Sequence, residues 1–187
     1  MQNVAEQHPE KRIELWFQDE ARFGQQGTIT RKWARRGSRP PAVRQTQYDY
    51  LYVLGAACPA TGQTIGLLSP TLNTAVVNCF FEQMAKEIDD AVHVVMFWDQ
   101  AGYHIASALN PPSNVTLISL PPYSPELNPI ENLWHYLRSH HWSNRRYADY
   151  DEWRQAACTA WQASCLDPTL IQTVCRADYL ESREIKV

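Results

Sequence analysis

Hydrophobic and polar positions along the chain fall into short, sharply punctuated blocks. "RIELWFQD" (residues 12–19) has the β-rich alternation of a strand. "GQQGTITRKWARRGSRPP" predicts a turn at Gly27, a short strand over residues 29–33 and a loop broken by Gly and Pro. "YDYLYVLGAACPATGQTIGLLSP" reads as two strands joined by a turn at residues 59–62, an antiparallel hairpin. Asn73 or Thr74 caps the helix "TAVVNCFFEQMAKEID", whose Val76, Val77, Phe80, Phe81, Met84 and Ile88 keep a 3.6-residue period. "HVVMFWD" is a continuous apolar run, the mark of a strand buried on both faces.

Beyond it, "QAGYHIASALN" predicts a short helix or loop, and "VTLISL" a second buried strand. The proline-rich "PPYSPELNP" leads into the helix "IENLWHYLRSHHW". There Ile130, Leu133, Trp134 and Leu137 make the buried stripe, leaving Glu131, His135 and Arg138 on a neighbouring face. Residues 147–187 read as two C-terminal helices, one begun near Asp149 or Asp151 and one with Asp167 as N-cap and Pro168 at its first position. Antiparallel strands followed by strand–helix–strand units predict an α/β domain, a mixed sheet covered by helices.

A length of 187 residues and a hydrophobic content of 44% suit one domain over 1–187, residues 147–187 included. No apolar run approaches a membrane span, and the N-terminus lacks a signal peptide's apolar middle, so a cytoplasmic protein without a membrane partner is expected. The five cysteines (Cys58, Cys79, Cys158, Cys165, Cys175) are odd in number and contain no C-x-x-C. Buried reduced thiols are therefore expected, rather than a disulfide framework or a zinc site. The net charge of −3 hides an uneven distribution. Residues 21–48 hold seven cations (Arg22, Arg31, Lys32, Arg35, Arg36, Arg39, Arg44) and no acid. Such a stripe on an acidic body is either a solvated charged hairpin or a phosphate-binding footprint.

Three acids occupy related places. Asp19 ends the first strand, Asp99 ends "VVMFWD", and Glu131 lies in the first turn of the helix after the last strand. Each also has a plainer reading. Asp19 could be a strand-end acid. Asp99, directly after an apolar run, would sit near the core and need a partner. Glu131 could complete a capping box with Asn128 as N-cap and Pro129 at N1. If strands one and four are neighbours, all three carboxylates approach one another, and their repulsion resists joint ionisation. A divalent cation removes that cost, and all-oxygen donors favour Mg²⁺ or Mn²⁺. Two such ions can activate a water or hydroxyl and stabilise the leaving oxygen of a phosphodiester.

"QDEARFG", "WDQAGYH" and "LPPYSPELNPIENLWHYLR", in that order, resemble the catalytic domain of the DDE transposases, in their mariner-like insertion-sequence branch. "RKWARRGSRP" is similar to that family's segment after the first acid, and the resemblance covers about residues 13–142. It implies a ribonuclease-H-like mixed sheet flanked by helices. It also implies that Asp19, Asp99 and Glu131 are the catalytic, metal-binding triad, with Glu20 a supporting acid and Mg²⁺ (or Mn²⁺) as cofactor, two ions in all. His104 matches the D-x-x-x-x-H pattern and would touch a phosphate, orient an acid or be purely structural. Arg22, Arg31, Lys32, Arg35, Arg36 and Arg138 become candidates for DNA-backbone contacts, and Trp33 either stacks on a base or packs. The implied reaction is phosphoryl transfer: water attacks the transposon end, and the freed 3′-hydroxyl attacks target DNA. The interval from Asp99 to Glu131 is a few residues shorter than the family's usual one.

Full-length relatives carry N-terminal helix-turn-helix modules, whereas here the first strand begins near Arg12. The expected partners are therefore DNA (transposon ends and target), a separate helix-turn-helix polypeptide or upstream-frame product, and a second copy in a homodimer, on the nucleoid when acting. Two other readings stay open: a ribonuclease-H-like nuclease without strand transfer, and an inactive or domesticated remnant used for DNA binding or dimerisation. This chain alone is expected to bind DNA weakly and with little sequence preference. An affinity for inverted-repeat DNA in the range of site-specific binders, measured by gel shift, would overturn that expectation.

Overall fold

The computed structural model describes residues 2–24, 33–39, 41, 50–101 and 108–181. Along the chain come α1 (Gln2–Gln7), β1 (Arg12–Gly24), β2 (Tyr50–Ala57), β3 (Thr64–Ser69), α2 (Thr74–Glu87), β4 (Val92–Trp98) and β5 (Val115–Ser119). There follow α3 (Ile130–Leu137), α4 (Tyr150–Ser164), α5 (Pro168–Val174) and the single turn α6 (Asp178–Glu181). The strands form one sheet in the order β3-β2-β1-β4-β5. β1, β2 and β3 pair antiparallel, while β4 and β5 run parallel to β1. Strands one and four are thus neighbours, as the pattern of acids requires.

β1 is longer than its expected eight residues because its two edges pair over different spans. The parallel ladder to β4 runs from Arg12↔Val92 to Phe17↔Phe97 and stops. The antiparallel ladder to β2 begins at Phe17↔Ala57 and continues to Gly24↔Tyr50. Asp19 therefore does not end the strand; it lies two residues past the end of one ladder and inside the other.

Alternation along β1 sends odd and even positions into two separate cores. Ala21 and Phe23 join Ile130, Leu133, Trp134 and Leu137 of α3, Trp153 of α4 and Ile171 of α5. Trp16 joins Val77, Phe80, Phe81 and Met84 of α2, with Val94 and Met96 of β4. β4 is buried almost throughout, as its apolar run demands, whereas β5 is an edge strand with only partial cover. Helix starts follow side-chain chemistry. Asn73 accepts from the N–H of Val76, Asp149 from Glu152, and Asp167 from Thr169 and Leu170. That settles the first two N-caps on Asn73 and Asp149.

Several expectations change. Residues 147–181 carry three helices rather than two. The helix "IENLWHYLRSHHW" is α-helical only to Leu137 and continues as a π-turn over Arg138–Trp142. The polar N-terminus forms α1, and His8 just beyond it stacks on buried His93 at 3.8 Å. All five cysteines are free, but only Cys58, Cys165 and Cys175 are buried; Cys79 is exposed on α2 and Cys158 half-buried on α4. The turn at Gly27, residues 29–32 of the expected second strand, and residues 102–107 of "QAGYHIASALN" lie outside the described residues. Trp33 is in no strand and is fully exposed, so it does not pack.

Two glycines shape the sheet where α3 and α4 meet it. Gly55 and Gly66 face each other across β2 and β3. A Cβ on Gly55 would lie 2.6 Å from the Trp134 ring, and one on Gly66 would collide with Trp161. The pair opens a trough in the sheet that the two indoles fill. Gly55→Ala should therefore cost about 1–3 kcal/mol, the usual toll of overpacking, read as a lowered urea midpoint with an unchanged m-value.

Candidate active site

Extending the β1–β4 register two residues past Phe17↔Phe97 sets Asp19 level with Asp99. The third acid arrives from α3, and the way α3 is fixed can be traced to single bonds. Asn128 is buried, and its Nδ2 donates to the carbonyl of Gln18 at 3.0 Å, on the edge of β1 that β4 has left. The expected capping box is absent: Pro129 occupies the N-cap position without a side-chain cap bond. The Glu131 N–H is met by the Asn128 backbone carbonyl at 3.0 Å. Asn128 thus anchors the helix to the sheet instead of capping it, which releases the Glu131 side chain from that duty. One helical turn on, Trp134 Nε1 donates to Asp19 Oδ2 at 2.8 Å. This indole occupies the glycine trough and contacts the ring of Trp161, at 6.4 Å between centroids.

Asp19, Asp99 and Glu131 all line one cleft of 470 Å³, walled by Gln100 and Ala101 on one side and residues 120–125 on the other. Asp99 is exposed rather than buried near the core, and its Oδ1 accepts from the Ala101 N–H at 2.9 Å. Gln100 Nε2 donates to the Leu120 carbonyl at 2.9 Å and ties the two walls together. At the rim stands Tyr123, fully exposed, with φ 58. The three carboxylates share the cleft without closing on one point. Among the described residues, no three His, Cys, Asp or Glu side chains are gathered tightly enough to hold a metal ion as they stand.

Electrostatics at Asp19 are unfavourable to its charge. Burial, then the charges of Glu131 and Glu20, push its carboxyl up to about 7, against hydrogen bonds from the Glu20 backbone and Trp134. All-carboxylate donors with one member held so high are a set that a hard divalent cation suits, because its charge favours the ionised form that burial and the neighbouring acids oppose.

The other expected residues scatter. Glu20 points to the opposite face of β1 from Asp19, where Gln18 Nε2 donates to it at 2.8 Å; its side chain acts on Asp19 through charge, and its backbone through a hydrogen bond. Arg22 shares that face, exposed, with its guanidinium 4.4 Å over the Tyr50 ring. Arg35 and Arg36 are exposed in a turn closed by Ser38 N–H on the Arg35 carbonyl at 2.9 Å, and neither lines the cleft. Arg138 is half-buried where α3 passes into the π-turn. Arg31, Lys32 and His104 lie outside the described residues. Sequence reasoning missed Asn128 as an anchor and Trp134 as Asp19's donor, although both stand in "NPIENLW", three positions either side of Glu131.

Comparison with known proteins fits this arrangement. The sequence profile of the DDE superfamily endonucleases matches residues 14–154. The chain belongs to that family. Over 125 residues it is 38% identical to the uncharacterized protein y4pE/y4sA of Sinorhizobium fredii, covering 67% of this chain and 93% of that one. In fold, this DDE superfamily chain is similar to the mariner Mos1 paired end complex with Mg, at a TM-score of 0.65 and 15% identity over 93% of the chain. The Mos1 mariner paired end complex with Mn gives 0.64 at 15% identity. In both cases the chain spans 55% of the Mos1 polypeptide, about half its length. The ribonuclease-H-like mixed sheet is therefore the architecture of this DDE superfamily member, and no described helix is long and apolar enough to cross a membrane.

The raised Asp19 carboxyl has a measurable consequence. The folded protein holds this proton more tightly than the unfolded chain, so the contribution is present in full below the unfolded pKa of about 4 and is lost as pH rises towards about 7. In metal-free buffer, the stability of the wild type relative to Asp19→Asn should fall across that window. A difference flat in pH, by urea denaturation, would refute it.

Proposed function

We propose that the chain is a single catalytic domain, 1–187, of an insertion-sequence transposase, cleaving and joining DNA strands by phosphoryl transfer. The observation that carries this reading is the convergence of Asp19, Asp99 and Glu131 on one cleft, each delivered by a different element of a DDE superfamily fold. Asp19, Asp99 and Glu131 would hold divalent metal, Mg²⁺ or Mn²⁺. Bound there, the metal supplies activation of the attacking oxygen and stabilisation of the leaving one.

The chain's own residues account for the rest. Trp134 fixes Oδ2 of Asp19 and so sets the orientation of that carboxylate at the cleft. Asn128 holds the start of α3 against β1 and thereby sets where Glu131 enters. Gln100 keeps the Asp99 wall and the proline-rich wall at a set separation. Water attacks the phosphodiester at the transposon end, and the released 3′-hydroxyl then attacks target DNA, so no side-chain nucleophile is required. Of the cations expected to meet the DNA backbone, Arg22, Arg35 and Arg36 are exposed and Arg138 half-buried; Arg31, Lys32 and His104 are assigned by motif alone. DNA, a separate helix-turn-helix polypeptide and a second copy of the chain are the proposed partners.

The test is a nicking assay on labelled duplex with Mn²⁺ or Mg²⁺. Wild-type activity should vanish with EDTA, and Asp19→Asn, Asp99→Ala and Glu131→Gln should each lose about 10²-fold or more. Equal activity in all four proteins would refute the assigned site. Offering pre-cut ends then separates a transposase, which joins them to target, from a nuclease that only cleaves.

A further inference from the structure

The cleft accounts for one end of α3 and leaves the other unexplained. Residues 138–146, "RSHHWSNRR", contain three arginines and two histidines and no acid. The segment is held rigidly by bonds that have no part in the acidic cleft. Trp142 is buried and stacks on Phe23 at 4.6 Å, and buried Tyr147 meets the same ring edge-on at 5.7 Å. Ser143 Oγ donates to the Arg138 carbonyl at 2.5 Å, and Asn144 turns the chain with φ 56. His140 stacks on Tyr136 at 4.0 Å, and His141 Nε2 lies 2.9 Å from Ser164 Oγ.

This framework leaves Arg145 and Arg146 exposed and Arg138 half-buried. Among the described residues no carboxylate lies within ion-pair distance of any of the three. The acids that follow in sequence are occupied at the start of α4: Asp149 accepts from the Glu152 N–H at 2.8 Å, Asp151 pairs with Arg154 at 3.5 Å, and Glu152 accepts from the Ala148 N–H at 2.6 Å. The crowding of positive charge is felt locally, since burial, then Arg145 and His140, hold His141 below the ordinary imidazole pKa.

We propose that this turn is a docking surface for the phosphodiester backbone of duplex DNA, with Arg138, Arg145 and Arg146 as its contacts. The inference rests on the reading of the chain as acting on DNA. Its position follows from the fold. Arg138 shares a helical face with Glu131 and stands about 10 Å further along the axis, at 1.5 Å per residue. Duplex DNA presents about six phosphate charges over that length. Phe23, the ring on which the turn is built, is flanked by Arg22 and is one residue from the end of β1, where the other basic stretch begins. The turn is thereby anchored near the end of β1, four residues past Asp19. Fixed guanidinium groups suit a partner whose charges are themselves regularly spaced, and they read charge rather than sequence.

The experiment measures fluorescence anisotropy of a short labelled duplex of arbitrary sequence, titrated with the full chain in EDTA at several salt concentrations. Arg145→Ala/Arg146→Ala should lower the slope of log affinity against log salt by about 2, and Arg138→Ala by about 1. Arg145→Lys/Arg146→Lys should keep the slope, because the slope counts charge. Lys86→Ala, exposed on α2 over the opposite core, should leave it unchanged. Matching thermal midpoints show that the variants fold. The proposal is overturned if the double alanine variant keeps the wild-type slope, if Lys86→Ala lowers it as much, or if the arginines affect only binding to phosphatidylserine vesicles. Without metal no strand is cut, so loss of nicking would count against the catalytic reading and leave this result standing.

Discussion

The hydrogen bond from Trp134 to Asp19 joins the two halves of the molecule that matter most. A buried indole N–H needs an acceptor, and a half-buried carboxylate needs donors, so each satisfies the other's requirement. Gly55 makes room for the Trp134 ring against the sheet, and Gly66 does the same for Trp161 beside it. The bond is kept in register by Asn128, which ties the start of the same helix to the carbonyl of Gln18. Together these contacts set α3 against β1, and with it the placing of Glu131 relative to Asp19.

Much of this was readable from residue order. The apolar run of β4, the hairpin of β2 and β3, the period of α2 and the buried stripe of α3 are local patterns, and local patterns survive folding when the core needs them. The spacing of acids against strand ends placed Asp19, Asp99 and Glu131 in one region, and all three line one cleft. The misreadings share a cause. Asn128 and Glu131 satisfy a capping pattern, but whether an Asn caps its own helix or reaches a strand 110 residues away is a tertiary matter. Likewise the two glycines of β2 and β3 look like weak points in a strand until the indoles that fill them are seen. Asp19 looked like a strand end because the apolar run stops there, and a run of side chains does not reveal that one ladder continues while the other ends.

Charge is distributed by the same logic. The acids of the cleft sit where β1 loses its parallel partner, and Asp19 is held in conditions that disfavour its ionised form. Cations occupy the two segments that leave the far end of β1 and of α3. The net charge of −3 averages over both and describes neither.

The early end of the β4 ladder carries one more implication, for how such a domain tolerates change in length. Past Phe97 the chain no longer contributes to the pairing that defines β1, and β5 sits at the margin of the sheet. Residues can be gained or lost between β4 and β5 without shifting the register of Asp19 against Gly55 or the seat of Trp134. A change in the length of that connection therefore falls where the architecture is indifferent to it: the central strands hold the scaffold, and the outer wall of the cleft is free to be resized.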